Sequence, residues 1–166
     1  MRPHLPVLKF SSALATAALA GSLGVTATSI AAAPAAQATE RTASAWARDA
    51  AADLAVTRVS RTPYRYGGTS LYTGADCSGF SKAVFANKGV SLARTANDQR
   101  LSMRAISRAW LRRGDFIFFN SGGRTYHMGI YVGDGYMVDA PGSGRYVTKR
   151  KPWTTSGVTY GTLRPR

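Results

Sequence analysis

The spacing of apolar residues changes character near Arg113, and this change constrains the fold more than any other feature of the chain. Upstream, the period is helical. Trp46, Ala50 and Leu54 recur every four residues, Ala47 and Ala51 widen the same face, and Arg48, Asp49 and Asp53 fall elsewhere. This pattern predicts a helix over 40–60, stopped by Pro63. Residues 64–76 read as a loop carrying Gly67-Gly68 and Thr73-Gly74. A second helix is predicted from near Cys77, with Phe80, Val84 and Phe85 as its apolar stripe and Lys88-Gly89 as its end. A short helix is expected over 95–103. Downstream the runs are short and strand-like. Phe116-Ile117-Phe118-Phe119 is one, His127 to Val132 a second, and Tyr136 to Ala140 a third that returns across Gly133-Asp134-Gly135. Tyr146 to Lys149 and Val158 to Leu163 are weaker candidates. Helices followed by antiparallel strands predict an α+β fold.

The first 38 residues read as a removable export signal. Arg2 and Lys9 precede an uncharged run from Phe10 to Thr39, and Ala36-Gln37-Ala38 supplies a small-x-small cleavage pattern. A transmembrane anchor is the competing reading. Pro34 and the many Gly, Ser and Thr residues suit the segment poorly to crossing ~30 Å of hydrocarbon. The expected organisation is a signal over 1–38 and a single domain over 39–166, with a helix over 39–61 and a catalytic core over 62–166. A domain of that size can enclose a sizeable core. Twenty of the 22 Lys and Arg residues, and all eight acidic ones, lie beyond residue 38, leaving a charge of about +12. Nucleic acid is the reflex partner for such a charge. An exported protein meets anionic wall polymers and lipid head groups first, and charge alone does not select among them.

The chain has one Cys and two His, and His4 lies in the expected signal, which leaves Cys77 and His127. An intrachain disulfide is excluded, and a zinc site of the usual Cys/His kind has too few ligands. No metal or organic cofactor is expected. Cys77 sits in Gly74-Ala75-Asp76-Cys77-Ser78-Gly79-Phe80, at a loop-to-helix junction. The unpaired N–H groups and positive dipole end of a helix N-terminus favour an anion. A neighbouring imidazolium would complete the activation of a thiol, and His127 is the histidine able to supply it. Asp139, 12 residues beyond His127 on the expected partner strand, lies near-opposite within register error. It is the candidate for holding the imidazole tautomer. Taken singly, a Cys in a core, a structural His and a turn Asp are all commonplace. Their combination is more specific, because the domain holds no other Cys or His.

These segments resemble the NlpC family of bacterial cell-wall cysteine peptidases. The resemblance runs from about Thr62 to Ala140 in five stretches in the family's order. They are Pro63-Tyr64-Arg65-Tyr66-Gly67-Gly68, Asp76-Cys77-Ser78-Gly79-Phe80, Leu92-Ala93-Arg94-Thr95 with Gln99, Leu111-Arg112-Arg113-Gly114-Asp115 with Phe118-Phe119, and His127 to Gly133. The resemblance implies a papain-like α+β core and hydrolysis of peptidoglycan stem peptides, commonly between D-γ-glutamate and the following diamino acid. It implies Cys77 as nucleophile, His127 as base and Asp139 as the third polar group. It also implies Tyr64 beside the oxyanion site, and Asp76 and Ser78 as helpers in binding the stem peptide. Many members carry His where this chain has Asp139, a departure that bears on the pH profile more than on activity.

Two other readings stay open at this stage. The same thiol–imidazole pair would serve an acyltransferase if an amine or lipid accepted the acyl group. A non-enzymatic binder of wall or polyanion is the other, although pure binding needs none of the three polar residues.

Overall fold

A computed structural model describes residues 35–164, with side chains from residue 45 onward. The expected export signal lies outside the described residues, apart from its last four, which begin the first helix. Helix α1 spans Ala35–Thr57, starting and ending earlier than the apolar spacing implied. Its buried stripe is Ala47, Ala51, Ala52 and Ala55, whereas Trp46, expected on that face, is exposed. The helix is approached closely on another side. Gly114 adopts φ +77°, and a Cβ there would run into the backbone of Arg48. Glycine at 114 is what lets that loop approach the helix backbone so closely.

The loop after α1 contains a minor pair of two-residue strands, β1 (Thr69–Ser70) and β2 (Gly74–Ala75). Helix α2 spans Cys77–Ala86. Asp76 is its N-cap, and its carboxylate accepts from Gly79 N at 2.7 Å, an arrangement worth about 1 kcal/mol in general. Phe80, Val84 and Phe85 are fully buried, each contributing roughly 1.5–3 kcal/mol relative to exposure. The turn through Lys88 and Gly89 ends the helix as expected, Gly89 taking φ +75°. Helix α3 spans Ala96–Ser102 and is capped by Thr95, whose hydroxyl accepts from Asp98 N at 3.1 Å.

The second half forms an antiparallel sheet. Its strands are β3 (Arg104–Ile106), β4 (Phe116–Ser121), β5 (Arg124–Gly133), β6 (Tyr136–Asp139), β7 (Thr148–Arg150) and β8 (Val158–Thr162). They are ordered β3-β8-β4-β5-β6-β7, so the last strand inserts between β3 and β4. One face, including Phe116, Phe118, Met128, Ile130 and Val138, packs with α1 and α2. The other holds Ile117, Phe119 and Met137, with Tyr131, Val158 and Tyr160 against them. Burial on both faces explains why Phe116–Phe119 is a continuous apolar run rather than an alternating one. The fold is α+β, as expected. β3 was not anticipated; it is mostly exposed and paired on one side, so its residues need no alternation. Among the described residues no helix is long and apolar enough to cross a membrane.

Candidate active site

Asp76 fixes the start of α2 and the loop before it. Besides Gly79 N, its carboxylate accepts from Gly67 N at 3.0 Å, from the Ser78 hydroxyl at 3.2 Å, and from both terminal nitrogens of Arg94, at 3.1 and 2.5 Å. Burial alone would raise its pKa, but the Arg94, Gly79 and Gly67 hydrogen bonds hold it below the usual carboxylate value. Gly79 belongs to the same joint: a Cβ there would run into the Gly68 carbonyl oxygen. The loop and the first turn of α2 therefore lie in direct backbone contact, and Cys77 occupies the first helical position.

The sheet supplies the second half of the site. Tyr131 pairs with Met137 and Ile130 with Val138, so continuing the register sets Gly129, not His127, opposite Asp139. His127 and Asp139 are diagonal neighbours on one face, within reach of each other. His127 Nε2 bonds Asp139 Oδ2 at 2.7 Å, and Asp139 is fully buried. Nδ1 is left as the ring nitrogen available to Cys77.

Asp139 has a second partner that the sequence reading missed. Arg150 Nε donates to Oδ1 at 3.0 Å and a terminal nitrogen donates to Oδ2 at 2.6 Å. Asp139 pairs with Thr148, so Arg150 is again a two-residue diagonal on the same face. That register is the signal that would have revealed it. Arg150 also lies 4.5 Å over the ring of Trp153, which stacks on Phe119 at 3.9 Å. Trp153 and Phe119 flank His127 at 5.4 and 5.8 Å, walling the imidazole–carboxylate pair away from water.

Burial opposes protonation of His127, but the Asp139 hydrogen bond and the interaction with Cys77 outweigh it and raise its pKa to about 9. Burial would likewise raise Asp139, yet His127 and Arg150 hold it low. At neutral pH the site therefore contains an imidazolium between a carboxylate and a thiol, the charge arrangement that activates sulfur. Cys77, His127, Arg150 and Trp153 line one open cleft of about 510 Å³ with Tyr64, Tyr126 and Pro141. Burial and the charges of Cys77 and Asp76 raise the pKa of Tyr64, keeping its hydroxyl protonated.

Five of the six residues singled out from sequence thus converge, or support those that do. Ser78, the sixth, is buried, donates to Asp76 and accepts from Arg94 at 3.1 Å. Neither Asp76 nor Ser78 lines the cleft; both act on the half-exposed Arg94, whose role the sequence had not disclosed.

A match to the family model described as the NlpC/P60 family covers residues 61–162, and so spans the cleft and every residue lining it. The chain belongs to the NlpC/P60 family. Among curated relatives, the probable endopeptidase p60 of Listeria innocua is 46% identical over 81 residues, 49% of this chain and 17% of that protein. The bifunctional muramidase/DL-endopeptidase CwlT of Bacillus subtilis is 37% identical over 110 residues, 61% of this chain and 32% of that protein. The chain therefore spans less than a third of the length of these relatives. Among solved structures, the peptidoglycan hydrolase RipB of Mycobacterium tuberculosis is similar at a TM-score of 0.65 and 29% identity, over 80% of this chain and 72% of that one. The NlpC/P60 fold is papain-like, and here α2, which begins at Cys77, packs on the sheet that carries His127.

Proposed function

We propose that the protein is an exported cysteine peptidase that hydrolyses amide bonds in peptidoglycan stem peptides, at the bond between D-γ-glutamate and the diamino acid after it. The observation that carries this reading is the open cleft where Cys77, at the start of α2, meets His127 with its Asp139 partner. Relatives named as endopeptidases support the reaction class.

Cys77 is the nucleophile. Its thiolate attacks the scissile carbonyl carbon, and backbone N–H groups at the start of α2, with the Tyr64 hydroxyl, stabilise the oxyanion. The His127 imidazolium then protonates the departing amine, the C–N bond breaks, and a thioester remains. Neutral His127 next takes a proton from water as the water attacks the thioester, and Cys77 leaves as thiolate. Asp139 holds the His127 tautomer and balances its charge. Asp76 and Ser78 help to bind the stem peptide indirectly, by fixing the start of α2 and holding Arg94 beside it.

The leader over 1–38 carries the chain out of the cell, and the basic surface retains it on anionic wall polymers rather than on specific nucleic acid. The decisive experiment is digestion of purified peptidoglycan by residues 39–166 beside a Cys77→Ala copy, with mass spectrometry of released fragments. Stem fragments from the parent alone are the expected outcome. Equal release from both, or none from either, would overturn the reading.

A further inference from the structure

A second concavity of about 580 Å³ lies at the far edge of the sheet and shares no lining residue with the cleft of Cys77. It is built on β3, the 3-10 turn Arg108–Trp110, Arg112 and the end of β8. The strand order sets β3 four positions from β6, which carries Asp139. At about 4.8 Å per strand that is on the order of 20 Å. A molecule seated at β3 would therefore leave the cleft open to substrate.

The chemistry of this concavity differs from that of the cleft. Its floor is the Arg48–Asp115 pair at 3.7 Å, with Arg48 also donating to the Thr162 hydroxyl at 2.8 Å. Arg48 Nε and Asp115 Oδ1 are buried and, among the described residues, have no hydrogen-bond partner. The two atoms face each other as an ion pair too long for a hydrogen bond, so the floor is polar but already paired. Arg104 and Arg112 form the walls; both are exposed, and neither forms a salt bridge among the described residues. Trp110 stands beside them, 67% exposed. Three guanidinium groups face one carboxylate, so the concavity carries surplus positive charge. Guanidinium forks suit phosphate and carboxylate, and a bare indole offers a flat apolar face to a sugar ring.

We propose that this concavity is a binding site for an anionic glycan, with a phosphate or carboxylate held by Arg104 and Arg112 and a sugar ring laid on Trp110. It turns the diffuse basic charge into a defined anchor, and in that it rests on the reading of the protein as a wall enzyme. An anchored enzyme would work along the polymer-bearing wall with its cleft free.

Binding is measured by titration calorimetry at low salt on four proteins: the parent, R104Q/R112Q, W110A, and R61Q/R124Q. The last removes the same charge from exposed positions elsewhere. The probes are a glycosylated teichoic acid, polygalacturonate, inorganic polyphosphate and a short DNA duplex. R104Q/R112Q is expected to weaken glycan binding about tenfold or more, and R61Q/R124Q no more than about twofold. W110A is expected to weaken both glycans but leave polyphosphate unchanged. The tighter of the two glycans names phosphate or carboxylate as the preferred group. Equal losses in the two double variants would show a diffuse field and overturn the site. A W110A protein that binds glycans like the parent would overturn the sugar platform. DNA binding with the same dependence on Arg104, Arg112 and Trp110 would overturn the glycan assignment. Hydrolysis of a soluble stem peptide is followed in parallel and should be equal in all four proteins. Its absence from the parent would count against the peptidase reading and leave the binding comparison intact.

Discussion

A single carboxylate, Asp139, governs the protonation of the site, because it is shared by His127 and Arg150. The sign of its effect follows from the pKa values. His127 is raised from 6.5 to about 9, so its pairing stabilises the fold fully below about pH 6.5 and is lost as pH rises through about 9. The imidazolium proposed to activate Cys77 disappears over the same range. The alkaline limb of kcat/KM is expected near pH 9. In D139N that limb should move down towards the ordinary imidazole value of about 6.5, with a rate loss of about 100-fold or more. A pH–rate profile of both proteins checks this; an unmoved limb would remove Asp139 from the proposed mechanism. At this scale Cys77 and His127 stood out by scarcity, Cys77 being the one cysteine and His127 the one histidine beyond the expected signal. Arg150 was not legible, and Arg94 stood only as one residue of a stretch resembling the family, with no role attached. The chain has 22 Lys and Arg, and only strand register and loop closure separate two of them from the rest.

Among the elements, the joint between the Gly67-Gly68 loop and α2 bears most on function. Asp76 caps the helix, ties Gly67 and holds Arg94, while Gly79 permits the backbone contact. D76A is expected to lose the cap and strand a half-buried guanidinium, costing roughly 2–4 kcal/mol in denaturant unfolding. G79A forces the loop off the helix, and activity is expected to fall further than stability does. Most elements were legible from periodicity. α2 and the β5–β6 hairpin follow their apolar patterns, and the Gly133-Asp134-Gly135 turn lies where its composition placed it. What periodicity misses is context. The α1 stripe is Ala47, Ala51, Ala52 and Ala55 with Trp46 left exposed, and which face is buried is set by elements packed on the helix from far along the chain, Gly114 against Arg48 among them. Counting residues about Asp134 reproduces the register of Ile130 with Val138 and Tyr131 with Met137, and it sets His127 one diagonal step from Asp139, inside the margin the sequence allowed.

For the molecule as a whole, net charge was plain from composition, but its concentration around Arg104 and Arg112 needed the edge of a sheet that β3 and β8 close from distant parts of the chain. That sheet has another edge, and the polar group completing the His127–Asp139 pair comes from it. β7 is three residues long, is paired with β6 alone, and buries no apolar side chain of its own. Short outer strands of this kind open locally at free energies well below that of global unfolding. When β7 frays, Arg150 withdraws and Asp139 and His127 meet water, although the core of Phe80, Phe116 and Ile130 is untouched. On warming, peptidase activity is therefore expected to fade several degrees before the far-UV circular dichroism signal does, and to return on cooling. The usable temperature range of the protein is set by its weakest strand rather than by its core.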